Sequence, residues 1–152
     1  MCTSFKKEIL CGSHALGTQA ANGTRTVTTV DVIKAALFVT TASIGAATTA
    51  YSSSNEVTNG SGSGYTAGGA TVTNATAPST SGTSAIWTPS ASIQWTAFTS
   101  AAAFDCVLLY NSSSTGSLAI SSHTFGSQSI TAGTFTLTMP TNAVGTALVQ
   151  IS

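Results

Sequence analysis

Two stretches of the chain are apolar at almost every consecutive position: Val32-Ile33-Lys34-Ala35-Ala36-Leu37-Phe38-Val39 and Phe104-Asp105-Cys106-Val107-Leu108-Leu109-Tyr110. A strand that is apolar on both faces belongs in the middle of a sheet, so both are read as central strands. Elsewhere the pattern becomes a period of two. Ser84 to Thr88, Ile93 to Ala97 and Thr134 to Met139 alternate, the last with Phe135, Leu137 and Met139 on one face and threonines on the other. Ala70 to Asn74, Ser117 to Ile120 and Ala147 to Ile151 read as further strands, and Arg25 to Val30 as a strand or the end of an arm. Turn signals separate them at Asn22-Gly23, Pro78 to Gly82, Pro89, Asn111 to Gly116 and Pro140. Short strands so divided predict an all-β fold, a two-sheet β-sandwich or jelly-roll-like domain, with no internal repeat and no strand order readable from the pattern.

The ends of this pattern differ from its middle. Ser4 to Cys11 fits one or two helical turns, with Ser4 as N-cap, Gly12 just past the end, and Phe5, Ile9 and Leu10 toward one side. So short a helix is marginal in water and needs its own domain or a neighbouring subunit to dock on. An Ala/Gly/Thr/Gln linker follows from His14 to Gly23. The division is an extended N-terminal arm with a short helix over 1–24 and a β-sandwich over 25–152. Ala42 to Ser54 is a small-residue loop with a helical turn around Ile44 to Thr49. Between the arm-bearing half and the strand-rich half lies Asn55 to Ala70, with five of the fourteen glycines and one aromatic, Tyr65. Repeated glycine there implies positive φ or close passage over another surface.

Charge changes the picture more than length does. Charged residues are 5% of the 152, against roughly 25% in ordinary soluble domains, and 28 Thr and 23 Ser take their place. Thr and Val suit pleated surfaces, which reinforces the all-β reading. The net charge is zero, and a hydroxyl surface without charge is easier to explain where neighbours cover it than on a free monomer. Four Lys and Arg cannot line a phosphate backbone, so no nucleic-acid partner is expected. No run approaches the ~20 apolar residues of a membrane span, and the N-terminus lacks an apolar core of signal-peptide length. Cys2, Cys11 and Cys106 are odd in number and lack a framework spacing. Cys106 is read as a small buried hydrophobe and the chain as one folded in a reducing cytoplasm without disulfides.

Candidate chemistry is thin. Gly62-Ser63-Gly64-Tyr65-Thr66-Ala67 matches G-x-G-x-x-A, yet Gly68-Gly69 follows where a phosphate-binding helix would have to start, so no cofactor is expected. Cys2, Cys11 and His14 cluster locally with Glu8 as a possible fourth ligand, but ordinary arm residues explain them better than zinc. His123 is placed at a strand end as a surface or capping residue. Of the four carboxylates, Glu8 is in the arm, Asp31 and Asp105 flank the apolar strands, and Glu56 is assigned to the glycine loop's N–H groups, Arg25 or Lys34. The expectation is no enzyme and no catalytic, cofactor or metal residues. Trp87, Trp95, Phe98 and Tyr65 could stack on sugars; at strand spacing, core or interface anchors are the stronger reading.

Several of these segments, taken in order, resemble a family of small structural proteins encoded in the virion-gene clusters of tailed bacteriophages. They are Ser4-Phe5-Lys6-Lys7-Glu8-Ile9-Leu10 with Gly12 and His14, Val32 to Phe38, Ile44 to Tyr51 leading to Asn55-Glu56-Val57, Gly64-Tyr65-Thr66-Ala67-Gly68-Gly69, Leu108-Leu109-Tyr110-Asn111-Ser112, and Gly133 to Leu137. The resemblance implies a non-enzymatic virion component. With the charge-poor composition it leads to a capsid decoration or cement protein, assembled in the host cytoplasm and bound to the major capsid protein on the shell's outer surface as a homotrimer. Phe5, Ile9, Leu10, Tyr65, Trp87 and Trp95 are the candidate interface residues. The alternatives are a neck, tail or fibre component, or a carbohydrate-binding β-sandwich module.

Overall fold

The computed structural model describes residues 1–17, 19–22, 25–27, 29–62, 64–73 and 77–152, with the backbone alone over 19–22 and 25–27. Among the described residues one helix, α1 (Thr3–Leu10), precedes eleven strands: β1 (Gln19–Asn22), β2 (Arg25–Val27), β3 (Ile33–Val39), β4 (Ala70–Thr71), β5 (Ser79–Ser81), β6 (Ser84–Trp87), β7 (Ile93–Phe98), β8 (Phe104–Asn111), β9 (Ala119–Gln128), β10 (Gly133–Leu137) and β11 (Val149–Ile151). The fold is all-β, with every ladder antiparallel.

The two apolar runs are central and pair with each other. The largest sheet runs β4-β3-β8-β9, with Ile33 opposite Asn111 and Leu37 opposite Val107. Ala35, Ala36, Leu37 and Phe38 on β3 and Val107, Leu108, Leu109 and Tyr110 on β8 are buried, so both faces of this ladder are covered. Among the described residues three smaller sheets complete the set, β10-β7, β11-β6-β5 and β1-β2. An aromatic cluster joins the β10-β7 pair to the large sheet: Phe135 lies 5.0 Å edge-on from Phe104 and 5.8 Å from Trp95, and Phe98 lies 5.8 Å from Phe104.

Three strands depart from the pattern-based expectation, and the first is β1, which pairs with β2 inside the stretch read as a linker. The turn assigned over 78–82 is the first arm of a hairpin: β5 pairs with β6 through Gly82-Thr83, where Gly82 takes φ +59° at the first position of a two-residue loop. Strand β9 continues through 121–128, where Ser, Thr, Gly and Gln hide any apolar alternation. It is an edge strand held by β8, which places His123 opposite Val107 in mid-strand and half-buried, not at a strand end. The small-residue loop over 42–54 contains a turn closed by Thr48 N–H to Gly45 O rather than a helical segment.

The N-terminal segment is not an extended arm. Cys2 and Phe5 are fully buried, Cys2 N–H donates to Ile120 O of β9 at 2.9 Å, and Thr3 N–H donates to Ala46 O at 2.8 Å. Those carbonyls serve the helix N-terminus, so the N-cap is Cys2 with no side-chain cap, and Ser4 lies inside the helix. Burying Phe5 contributes roughly 2–3 kcal/mol, which offsets the cost of forming two turns alone. At the other end Gly12 takes φ +69°, as a residue just past a helix does. Phe5 and Ile9, four apart, share the inward face. Leu10 is turned away and is 89% exposed, correcting its assignment to that face. The division after residue 24 falls between β1 and β2, which pair with each other.

Candidate functional site

The glycine-rich segment is a tie between sheets. Two of its glycines lie flat on neighbouring strands: a Cβ on Gly64 would stand 2.3 Å from Thr96 O of β7, and one on Gly69 would stand 2.0 Å from Ala35 O of β3. This close passage explains Gly64 and Gly69, and no helix N-terminus forms over 64–69 where a dinucleotide would need one. Residues 55–57 and Tyr65 together serve the free edge of β3 beyond β4. Val39 N–H donates to Asn55 O, Val57 N–H to Leu37 O, and Leu37 N–H to the Tyr65 hydroxyl at 2.9 Å.

Glu56, 7% exposed, sits at the centre of this tie. Its Oε1 accepts from Tyr65 Oη at 2.7 Å and from Gly68 N–H at 2.8 Å, and its Oε2 accepts from Tyr51 Oη at 2.5 Å. Tyr110 Oη donates to Gly68 O at 2.7 Å, and its ring stacks on Tyr51 with centroids 4.4 Å apart. Asn59 holds the Tyr65 backbone from both sides, donating to its carbonyl and accepting from its N–H. Burial, then the hydrogen bond to Glu56, pushes the Tyr51 and Tyr65 phenols up, and burial with the Glu56 charge pushes Tyr110 up to about 12. All three therefore remain protonated donors at neutral pH, and the carboxylate acts as a fixed acceptor. Of the partners proposed for Glu56, the loop N–H is realised, through Gly68; the Arg25 side chain lies outside the described residues.

His14 organises a second knot. Asn111 Oδ1 accepts from Ser113 and Ser114 N–H, which turns its amide nitrogen toward Asp31 Oδ2 (2.6 Å) and His14 Nδ1 (3.1 Å). His14 Nδ1 is therefore the acceptor, and Nε2–H donates to Glu8 Oε2 at 2.9 Å. Asp31 also accepts from Ala15 N–H at 2.7 Å, and the imidazole meets Phe5 edge-on at 4.8 Å. Glu8, His14 and Asp31 are thus used to fasten α1 and its following segment to the end of β8. Among the described residues no three His, Cys, Asp or Glu side chains are placed to hold a metal ion. Cys2 and Cys106 are buried and Cys11 is exposed, all three as free thiols; burial pushes the Cys106 thiol up to about 11.

Two cavities open among the described residues, the larger of them beside His14. One, of about 180 Å³, is lined by Val107, Leu109, His123, Leu137, Met139 and Leu148. His123 Nε2 is 3.0 Å from Ser121 Oγ there, and burial followed by the N-terminal ammonium holds the imidazole below its ordinary 6.5. Above that value neither the folded nor the unfolded chain protonates His123. As pH falls through it the unfolded chain takes up the proton first, so stability is lost on acidification. Urea midpoints measured at pH 7.5 and 5.0 are expected to fall further for the native chain than for His123→Gln; equal falls would show that His123 does not contribute.

The larger cleft, of about 290 Å³, is the candidate interaction site. Its floor is the face of β6 and β11 that carries Trp87, Val149 and Ile151, and one wall is built from Ile9 and residues 14–17. Gly17 leans on Pro78 so closely that a Cβ would stand 2.6 Å from its ring, closing that end. The candidate interface residues separate cleanly. Phe5, Tyr65, Trp87 and Trp95 are 0–4% exposed, and packing inside this chain uses them up, so they are neither surface anchors nor sugar platforms. Ile9 lines the cleft, and Leu10 is exposed. The cleft itself was not readable beforehand, because its walls come from residues 9–17, 78–87 and 149–151. Comparisons with family models, curated proteins and solved structures return no match for this chain.

Proposed function

We propose that this chain is a non-enzymatic structural protein of a tailed-bacteriophage virion, a decoration or cement protein that binds the major capsid protein on the outside of the shell. The observation that carries the reading is the nature of the exposed strand positions. Thr71, Ser79, Thr80, Ser81, Gln94, Thr96, Thr134 and Thr136 all point outward, on a chain with eight charged residues and no net charge. Such a face offers hydrogen bonds without the charge that keeps free monomers apart, and suits repeated contact with neighbouring subunits.

The resemblance to phage structural proteins gains a physical sense from the two knots. Glu56, Tyr65, Gly68, Gly69, Tyr110, Asn111 and His14 all belong to the matching segments, and they are the residues that tie this chain together internally. The likeness therefore speaks for a shared scaffold, with the partner-facing surface elsewhere. We take that scaffold to be a β-sandwich, the β10-β7 pair lying over the four-stranded sheet across the phenylalanine cluster, and three copies to gather at the shell's three-fold positions. With α1 docked, attachment runs through the hydroxyl faces and not through an N-terminal clamp.

Quantitative mass spectrometry of purified virions against the major shell protein tests this. A ratio near one to one, or one to three, is expected. A dozen copies or fewer would move the chain to the neck, tail or fibre, and its absence from virions would overturn the structural reading altogether.

A further inference from the structure

An asparagine followed by glycine readily loses its side-chain amide, because glycine has no side chain to keep its nitrogen away from the neighbouring Cγ. The chain holds two such pairs, Asn22-Gly23 and Asn59-Gly60. The second lies within the tie that Glu56 centres, and both of its reacting groups are in use there.

Attack on Cγ requires the Gly60 nitrogen to lose its proton and the Asn59 side chain to swing over it. Gly60 N–H is given to Thr99 O at 2.7 Å, and Ala101 N–H to Thr58 O at 3.0 Å, so an antiparallel bridge of Asn59 with Ser100 pins the peptide. The side chain is pinned separately. Its Oδ1 accepts from Tyr65 N–H at 3.0 Å, and its Nδ2 donates to Tyr65 O. Tyr65 is fixed in turn by its hydroxyl, which donates to Glu56 and accepts from Leu37 N–H. Gly60 itself is exposed, so water and base reach this peptide without crossing the core.

We propose that Asn59-Gly60 is a self-modification site gated by the tie, closed while Glu56 holds Tyr65 and reactive when that hold opens. In the open state base takes the Gly60 N–H proton and the nitrogen attacks Asn59 Cγ. The side-chain nitrogen leaves as ammonia and a five-membered succinimide closes. Water then adds to one of its two carbonyls, giving aspartate or, through the other, an isoaspartyl linkage. Neither product restores the tie. A carboxylate has no donor for Tyr65 O, and isoaspartate lengthens the main chain by one carbon, which shifts Gly60 off Thr99. A transient opening is thereby made permanent, whatever the chain assembles with.

The test is incubation of the full chain at mildly alkaline pH, folded in buffer and unfolded in guanidinium. Mass spectrometry of the Asn59 peptides, with aspartyl and isoaspartyl forms separated, gives the rate. The folded chain is expected to convert at least about tenfold more slowly than the unfolded one. Glu56→Gln, and Tyr65→Phe as a second variant that leaves Glu56 intact, should each speed conversion of the folded chain about fivefold or more. Gly82→Ala, which weakens a hairpin of another sheet, should not. Asn59→Asp, which installs one product, should unfold at lower denaturant than the native chain. Folded and unfolded chains converting at one rate would overturn the proposal, as would no acceleration in either tie variant. Equal acceleration by Gly82→Ala would also overturn it, because the reaction would then run through global unfolding. An Asn59→Asp chain as stable as the native one would show that the tie closes over its product, and the permanence would be lost.

Discussion

Replacing Glu56 with alanine is expected to destabilise the chain by roughly 3–5 kcal/mol, because the carboxylate is the common acceptor for three donors. Tyr65 Oη is left without its acceptor in the interior, at about 1–3 kcal/mol, and the part-buried Gly68 N–H loses its own, whereas Tyr51, half-exposed, can turn to water. The loss spreads, since Tyr65 Oη also receives Leu37 N–H on the edge of β3. Glu56→Gln keeps one carbonyl oxygen for Tyr65 and Gly68 and turns an amide toward Tyr51, so a smaller cost of about 1–2 kcal/mol is expected. Guanidinium unfolding of the three proteins checks the order native, Gln, Ala. An alanine variant within about 1 kcal/mol of native would mean that the donors find other partners and that Glu56 does not hold the loop.

The pair of central strands was legible because burial on both faces leaves a continuous apolar run, and no alternative element accommodates Leu37-Phe38 and Val107-Leu108-Leu109 so simply. Gly64 and Gly69 announced close approach for the same kind of reason: no other residue type survives it. The aromatic residues misled, since a Trp at strand spacing reads alike whether it meets its own core or a partner's. Trp95 turns inward because β7 has one covered face, whereas on β6 both Ile86 and Trp87, on opposite faces, are buried. The helix illustrates the limit of local rules. Its capping was sought in Ser4, yet its N–H groups are met by Ala46 and Ile120, carbonyls 43 and 118 residues away in the chain. Likewise the Asn111 amide that sets the His14 tautomer is 97 residues distant, and the cleft draws its walls from three separated segments. Periodicity reports which face is buried; it carries no information on what lies opposite.

Gly69 and Gly82 offer a direct separation of two reasons for needing glycine. Both take positive φ, +72° and +59°. A Cβ on Gly82 would meet nothing within 4 Å, so Gly82→Ala bears only the cost of the left-handed backbone, about 1–2 kcal/mol. A Cβ on Gly69 would stand 2.0 Å from Ala35 O and 2.5 Å from Ala35 C, atoms of a strand hydrogen-bonded on both sides and unable to retreat. The loop must lift instead. Lifting it moves Gly68, whose N–H is given to Glu56 and whose carbonyl receives Tyr110, so two further hydrogen bonds worth about 1 kcal/mol each go with the strain. Gly69→Ala is therefore expected to cost roughly 4 kcal/mol or more, a large share of the stability of a domain this size. Chemical unfolding of both variants decides between the two reasons. If Gly69→Ala falls within about 1 kcal/mol of Gly82→Ala, backbone conformation alone demands glycine there. The larger gap would show that the segment must lie in contact with β3 for the Glu56 tie to close.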